Sequence, residues 1–366
     1  METKAKMRDA NLDMLRIFAM FLIVLLHSVD HSGVLEAAQD GPAIMYGYVQ
    51  YIYALTQVCV NCYVLLSGYY LARTEFRIHK LVKLWMETVF YSLLIKALFM
   101  ACGRTPFSAV ALVNCFFPIL TGRYWFVTIY VGMYLLSPFL NLAINAMNKR
   151  QFTLLNVVLF GLLSAWISIH PSIAGMNSGS GWGLTWFVTL YLLAAWFRLY
   201  YQPTYRVKLK LAVFFLIPAL VSFGRVVTRS LGGIGGVLSG ILGNWYRYDS
   251  VPVYFATVSL FVAMLNVRIE DKKMNRWITS AAPLTFGVYL IHAHADLSHW
   301  FWETVNLPHH MNTAWFPLIQ FGCCMFIFVF CIAVDAIRRT TIGRLENTDT
   351  LRRFCDSISD RILGRL

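Results

Sequence analysis

The chain has 366 residues, of which 58% are hydrophobic and only 13% are charged. Soluble domains carry roughly a quarter of charged residues, and so apolar a chain would expose large apolar patches in water. A formal net charge of +13 is compatible with nucleic-acid binding. However, the basic residues form short clusters between apolar segments, a pattern typical of membrane topology. We therefore predict an all-α integral membrane protein that binds no nucleic acid.

About ten segments approach the length of roughly 20 apolar residues that a membrane-spanning helix needs. They are Leu12–Val29, Met45–Leu71, Leu84–Cys102, Trp125–Met147, Phe152–His170, Leu184–Tyr201, Leu211–Val227, Val251–Val267, Pro283–Phe301 and Ala314–Ile337. The stretch Ala109–Leu120 is too short to span and is expected to re-enter the membrane or lie in its interface. We predict one membrane domain over residues 1–340 and a short basic cytoplasmic tail over residues 341–366.

The distribution of lysine and arginine supports an even number of spanning helices. The segments expected on the cytoplasmic side carry Lys4, Lys6, Arg8, Arg73, Arg77, Lys80, Lys83, Lys149, Arg150, Arg198, Arg206, Lys208, Lys210, Arg268, Lys272, Lys273 and Arg276, and seven arginines from Arg338 to Arg365. The opposite segments carry only Arg104, Arg123, Arg225, Arg229 and Arg247. By the positive-inside rule, both termini are expected to be cytoplasmic. Because no small-residue cleavage site closes the first apolar stretch, we expect a retained helix rather than a signal peptide.

Two polar residues, Arg16 and His27, interrupt the first predicted helix. They are eleven residues apart, which is close to three helical turns, so both lie on one face and about 16 Å apart along the axis. Charged groups inside a bilayer are costly and mark functional sites by default. The alternatives are an interfacial arginine paired with Asp13 and a hydrogen-bonded packing histidine that faces Asp30.

Four motifs occur in order along the chain. The first helix carries Leu12-Asp13, Leu15-Arg16, Ala19, Val24 and His27; the second ends in Ser67-Gly68-Tyr69; Tyr124-Trp125-Phe126 precedes Tyr134-Leu-Leu-Ser-Pro138; and Phe286-Gly-Val-Tyr-Leu-Ile-His292 lies near the end. In these motifs the chain resembles the acyltransferase-3 family of membrane-bound acyltransferases from about residue 10 to residue 340. It departs from the family pattern at Tyr63 and Tyr69, where phenylalanines are usual. It also departs after the second helix, where the family usually has paired arginines and this chain has the more widely spaced Arg77, Lys80 and Lys83.

The resemblance implies transfer of an acyl group, most often acetyl, from cytoplasmic acyl-CoA to a hydroxyl of an extracytoplasmic glycan. Acetyl-CoA would then be a donor substrate, with no tightly bound cofactor. The expected acceptor is a cell-surface polysaccharide or its lipid-linked precursor, and the expected location is a bacterial cytoplasmic membrane. Within the family match, His27 is the expected general base and Arg16 a donor anchor or a group that polarises the thioester. Arg77, Lys80 and Lys83 are the expected ligands of the CoA phosphates.

Other residues have two interpretations each. Ser67 either accepts the acyl group as a nucleophile or donates to the thioester carbonyl, or it belongs to a close helix crossing. Tyr124 and Trp125 either stack a sugar or join an interfacial aromatic belt. Tyr69, Tyr289 and His292 are assigned to the acceptor site or to the family signature only.

The histidines and the isolated lysine leave further alternatives. A metal site is one interpretation of the neighbouring residues His292, His294, Asp296 and His299, but we predict that no metal is bound there. Lys96 is expected to pair with a carboxylate of another helix that the sequence does not identify.

The competing function is a transporter or flippase of a glycan or lipid precursor that performs no covalent chemistry. In that case Arg16, His27 and Lys96 would line a substrate or proton path. Transporters often contain two related halves, and no convincing repeat occurs in this sequence. Dependence on acetyl-CoA separates the two functions. Acceptors other than a polysaccharide, such as peptidoglycan, a small glycoside or a lipid, also remain open at this stage.

Overall fold

The computed structural model describes residues 10–169, 178–204 and 206–363, and these residues form helices without any strand. Three predicted features lie outside them: the basic start with Lys4, Lys6 and Arg8, the end of the fifth predicted helix at His170, and Arg365. In chain order the α-helices are α1 (Ala10–Asp30), α2 (Val34–Ala37), α3 (Ala43–Thr56), α4 (Val58–Leu71), α5 (Ile78–Ala101), α6 (Ala109–Phe116), α7 (Trp125–Ala146), α8 (Lys149–Phe160), α9 (Trp166–Ile169), α10 (Leu184–Tyr200), α11 (Val207–Ser230), α12 (Gly232–Asn244), α13 (Val251–Asn266), α14 (Lys272–Ala281), α15 (Thr285–His292), α16 (Ala295–Val305), α17 (Phe316–Thr340) and α18 (Asp349–Leu363).

Seven helical stretches among the described residues are long and apolar enough to cross a membrane. They are α1, α3 with α4, α5, α7, α8 with α9, α11 and α17. Two further apolar helices, α10 and α13, are shorter. The all-helical, multi-pass membrane character is therefore confirmed, whereas the count of ten spanning helices and the cytoplasmic termini stay predictions. Helix α6 has 8 residues and is too short to span, as expected.

The predicted spanning helix at Pro283–Phe301 is not a single helix. It divides into α15 and α16, because the chain leaves the helical conformation at Ala293 and adopts an extended conformation at His294. The two parts have 8 and 11 residues, and neither approaches the roughly 20 residues of a simple span. The hydropathy of the segment suggested one helix, but its polar residues sit at the break, where they contact other helices.

Helices α1 and α3–α4 form the interior of the bundle. In their most apolar windows 67% and 78% of the residues are buried by other parts of the protein. The corresponding fraction is only 22–33% for the other five long helices, whose apolar side chains therefore face outward, as expected of surfaces in contact with lipid. The first helix, with its two polar residues, thus lies away from the lipid and packs against α3, α4, α13, α15 and α17.

Helices α4 and α10 approach each other closely at Gly68. A Cβ atom at this position would lie 2.8 Å from the Cα of Tyr191 and 3.0 Å from the Cβ of Ala194. The obstacle is backbone rather than the end of a mobile side chain, so only glycine permits this crossing. The Ser67-Gly68 pair therefore has a packing role at Gly68, as one of its two interpretations proposed.

Near the end of α17, buried ion pairs connect three parts of the chain. Arg338 donates to Asp335 at 2.7 Å, lies 2.8 Å from Glu87 of α5, and also pairs with Glu346. Asp335 accepts a second hydrogen bond, of 2.8 Å, from Tyr91 of α5. Removal of one member of such a network leaves uncompensated buried charge. The network therefore fixes α5, α17 and the following 3₁₀ turn relative to one another.

The C-terminal helix α18 packs against the start of α5. Asp356 contacts His79 at 2.9 Å, and the Ser359 hydroxyl accepts a hydrogen bond of 2.9 Å from the backbone of Ile78. Asp360 lies 3.5 Å from Arg77. The tail is thus a helix that covers one end of the bundle, next to basic residues assigned to donor binding.

The close crossing at Gly68 predicts that Gly68→Ala destabilises the protein by about 1–3 kcal/mol, because the added methyl group forces α4 and α10 apart. The midpoint of thermal denaturation in lipid nanodiscs should fall by several degrees. The matched control is Gly322→Ala on α17, where an added Cβ meets no atom within 4 Å. Equal midpoints for the two variants would contradict the packing role of Gly68.

Candidate active site

An internal cavity of about 530 Å³ runs beside α1. Arg16, Met20, Ile23, His27 and Asp30 all line it, at intervals of three or four residues. This spacing is that of one helical face, so Arg16 and His27 open into the same space. Polar groups at membrane depth are tolerated where they line such a cavity, and this explains how one helix carries both residues.

The imidazole of His27 lies between two other histidines. Its ring stacks on His31 at a centroid distance of 4.1 Å and lies 5.0 Å from the ring of His292. The Nδ1 atom of His292 is 2.6 Å from the Val288 carbonyl oxygen, which can only accept, so this nitrogen carries the proton. Within the described part of the chain no hydrogen bond engages the ring of His27, and its Nδ1 is buried without a partner.

His31 follows the end of α1 and also lines the main cavity. Burial lowers the pKa of His31 below its ordinary value of 6.5, and the Asp30 carboxylate opposes this shift. A group with a lowered pKa is mainly neutral at pH 7. The ring stacked on His27 therefore adds little positive charge at neutral pH, so it does not oppose the transfer of a proton to His27.

Arg16 lies at the other end of the same cavity. Its guanidinium donates to Asp13 at 2.8 Å, and the backbone carbonyl of Arg16 accepts a hydrogen bond of 3.2 Å from the Tyr63 hydroxyl. The hydroxyl of Tyr63 also lies 3.0 Å from Oγ1 of Thr285. Arg16 therefore does pair with Asp13, as the alternative interpretation of this arginine proposed. The pairing holds the guanidinium at the cavity wall.

A second, smaller cavity of about 230 Å³ continues from the Arg16 end. It shares Arg16, Ser67, Leu84 and Tyr130 with the main cavity and reaches Lys80. Ser67 donates its hydroxyl proton to the Tyr63 carbonyl at 2.8 Å while it lines both spaces. The two cavities together therefore form a path from Lys80 past Arg16 toward His27.

Several residues selected from the sequence lie elsewhere. Tyr69 lines neither cavity: the Arg198 guanidinium lies 4.7 Å from the centre of its ring, which also packs on Phe261. Arg77 pairs with Glu75 and Asp360 and also lies outside both cavities, as does Lys83. Of the three basic residues expected at the donor phosphates, the structure brings only Lys80 to the path.

The wall opposite α1 is aromatic. Trp125 and Tyr289 line the main cavity, and the Trp125 ring stacks on Trp182 at 4.6 Å. The ring of Tyr248 lies 6.0 Å from that of Trp182. Tyr124 is buried and donates to the Leu290 carbonyl at 3.0 Å. Tyr124 and Trp125 therefore face the protein interior and the cavity rather than forming an interfacial belt.

The sequence analysis missed Trp182 and Tyr248. Gly181, with φ of 85°, lets the backbone before Trp182 lie directly on Tyr248, because a Cβ at Gly181 would be 2.5 Å from the Cβ of Tyr248. The Ser178 side chain anchors the same loop to Asp249 and accepts a hydrogen bond of 3.2 Å from the Gly181 backbone. The available signal was a tryptophan surrounded by alternating glycines, which predicts a tightly packed turn.

Arg123 was also missed as a cavity residue. It lines the main cavity, and its guanidinium lies 3.1 Å from Nε2 of His294 and 3.8 Å from Asp296. Asp296 in turn pairs with Lys96 at 3.1 Å, and is thus the carboxylate that the sequence did not identify for this lysine. Across residues 10–169, 178–204 and 206–363, no group of three or more His, Cys, Asp or Glu side chains is arranged to hold a metal ion.

The family comparison fits this arrangement. The model of the acyltransferase-3 family, described as an acyltransferase domain, matches residues 9–338. The chain belongs to this family. The match covers Arg16 and His27 on α1 and Tyr289 on α15, all of which line the main cavity, and it confirms the resemblance found in the motifs. No curated protein and no solved structure gives a significant match.

The ion pair of Lys96 with Asp296 predicts that Asp296→Asn lowers stability by about 2 kcal/mol, because both Lys96 and Arg123 lose a carboxylate at a largely buried position. Thermal denaturation in nanodiscs measures the change. Glu303→Gln on the same helix is the control, since Glu303 is exposed and pairs with the exposed His299. A midpoint for Asp296→Asn as high as that of the control would show that the pair is dispensable.

Proposed function

We propose that this membrane acyltransferase transfers an acetyl group from cytoplasmic acetyl-CoA to a hydroxyl of an extracytoplasmic glycan or its lipid-linked precursor, in a bacterial cytoplasmic membrane. The observation that carries the proposal is the internal cavity that Arg16 and His27 line together, inside a chain that belongs to an acyltransferase family. A cavity of this size accommodates two reacting groups away from the lipid.

His27 acts as the general base in this proposal. A sugar hydroxyl is a poor nucleophile at pH 7, and removal of its proton in the transition state accelerates attack. The hydroxyl oxygen bonds to the thioester carbonyl carbon while His27 takes the proton. The tetrahedral intermediate then expels the CoA thiolate, which takes up that proton. The products are the O-acetyl ester and free CoA, and the histidine returns to its neutral form.

The donor enters from the end that contains Lys80. The ammonium group of Lys80 is suited to a CoA phosphate, and the narrow path past Ser67 and Tyr130 is suited to the pantetheine arm. Arg16 lies where the two cavities meet, and its guanidinium would stabilise charge on the thioester oxygen. Arg77 and Lys83 remain proposed phosphate ligands at the entrance, where Asp360 of the tail helix competes for Arg77.

His27→Ala is expected to reduce O-acetylation by at least about 100-fold, since it removes the base. The measurement is NMR of base-labile O-acetyl groups on surface glycans, from cells with matched amounts of protein in the membrane. His299→Ala, at an exposed histidine on α16, should leave the signal unchanged. Full acetylation by His27→Ala would rule out this role for His27.

Lys80→Gln is expected to raise the KM for acetyl-CoA about tenfold with little change in kcat, because one charge-assisted contact to a phosphate is lost. Inside-out membrane vesicles supplied with radiolabelled acetyl-CoA allow this measurement. Lys149→Gln is the control, since Lys149 lies over the Tyr200 ring and lines neither cavity. An unchanged KM in Lys80→Gln would place the donor phosphates elsewhere.

A transporter is the second candidate function. The adjoining cavities, which continue beyond Arg16 and His27, are also what a substrate path through the membrane would require. A transporter moves its substrate without acetyl-CoA. Acetyl transfer that depends on the added donor and on His27 would therefore exclude transport as the sole function.

A further inference from the structure

A third cavity, of about 330 Å³, adjoins the His27 end of the main cavity. The two share Leu26, Asp30, Trp182 and Tyr248. Asp30 is one helical turn beyond His27 on α1, so the third cavity begins next to the proposed base. It lies at the opposite end of the main cavity from Lys80, and neither the donor path nor the proposed chemistry uses it.

The lining of the third cavity is rich in uncharged hydrogen-bonding groups. Gln39, Gln50 and Gln57 each contribute an amide, and Gln50 and Gln57 are buried. An amide supplies both donors and acceptors, so it can bind a ligand in addition to a contact within the protein, such as the hydrogen bond between Gln57 and Tyr53. Three such side chains around one space indicate a ligand that carries several hydroxyl groups, each able to donate and to accept.

Two other side chains at this cavity contain a buried polar atom that has no hydrogen-bond partner among the described residues. Tyr246 is 7% exposed, and its buried hydroxyl makes no hydrogen bond. The buried Nε atom of Arg225 likewise has none, although another nitrogen of the same guanidinium donates to Ser239. Buried polar atoms in native proteins are nearly always satisfied. These atoms are therefore suited to hydrogen bonds with a bound ligand.

The charge balance favours a neutral ligand. Arg247 is held by Asp249 through two contacts of 3.0 Å, which neutralises that arginine. Asp30 and Arg225 contribute one carboxylate and one guanidinium to the same wall. The cavity therefore lacks the excess of positive charge that a phosphate or a polyanion would require.

Aromatic rings supply the apolar part of the site. Tyr53 and Tyr246 stack at 5.1 Å, and Trp182 and Tyr248 form the border with the main cavity. Aromatic faces together with planar amides suit a sugar ring, which has apolar C–H faces and a polar rim. A ring that packs on Trp182 would project one hydroxyl past Asp30 toward His27.

We infer that the third cavity binds one neutral sugar residue of the acceptor and presents its hydroxyl to His27. This assignment rests on the proposed acetyl transfer, which it deepens by identifying where the acceptor binds. It gives Gln57, Arg225 and Tyr246 a role in acceptor binding, and it makes Trp182 a shared wall between acceptor and acetyl group.

The test uses the full chain in lipid nanodiscs free of glycoside detergents. The probes are the methyl glycosides of glucose, galactose, N-acetylglucosamine and rhamnose, and saturation-transfer NMR measures their binding. At least one probe should bind the unaltered protein. Its affinity should fall about tenfold in Arg225→Gln and several-fold in Tyr246→Phe, because each variant loses hydrogen bonds to the sugar.

Matched controls separate local loss of binding from loss of the fold. One control is Arg229→Gln, since Arg229 lies one turn beyond Arg225 on α11 and donates to the Gly41 carbonyl outside the three cavities. The other control is Tyr51→Phe, since Tyr51 lies on α3 and lines none of the three cavities. Both should bind the probe as the unaltered protein does. The two tyrosine variants should keep the thermal denaturation midpoint of the unaltered protein, and the two arginine variants, which each lose an existing hydrogen bond, should show similar small decreases. Because the donor enters at the other end, all four variants should keep the affinity of the unaltered protein for acetyl-CoA.

Binding of none of the probes, or equal losses in cavity and control variants, would overturn the sugar site. Normal O-acetylation of cell-surface glycans by the Arg225→Gln and Tyr246→Phe double variant would also overturn it, while leaving the proposed function intact. Conversely, specific sugar binding without any transfer from acetyl-CoA would retain the site and reject acetyl transfer.

Discussion

A bilayer offers no hydrogen-bond partner to a polar group, and this constraint organises the whole protein. Arg16 and His27 are carried by the helix that the remaining helices enclose, so both face an internal cavity instead of lipid. The outer long helices are buried over a much smaller fraction of their apolar windows, so they provide most of the surface in contact with lipid. Where charge is buried away from the cavity, as at Arg338, several carboxylates surround it.

The break between α15 and α16 links the site to the rest of the bundle. Before the break, α15 brings His292 beside His27. After it, His294 and Asp296 hold Arg123 at the cavity wall, and Asp296 also pairs with Lys96 of α5. In a continuous helix His292 and Asp296, four residues apart, would lie on the same face, whereas the break lets them contact different helices. The irregular backbone is tolerated because it is buried in protein.

The three cavities give the proposed reaction a direction. The space next to Lys80 is narrow and basic, the main cavity contains Arg16 and His27, and the space beyond Asp30 is lined by amides and aromatic rings. A polyanionic donor and a neutral, hydroxyl-rich acceptor have complementary chemistry at opposite ends. In the proposed reaction, binding at opposite ends would let the thioester and the hydroxyl meet at His27 without either substrate crossing the binding region of the other.

The sequence by itself determined the helical membrane class, the family and the shared face of Arg16 and His27, because hydropathy and helical spacing are local properties. It also located most helices, but it joined α15 to α16, since apolar composition does not reveal a break fixed by contacts with other helices. Only the tertiary structure decided that Lys80 lines the path while Tyr69 and Arg77 do not. The same holds for Trp182, Arg123 and Arg225, which join the cavities through contacts between segments far apart in the chain.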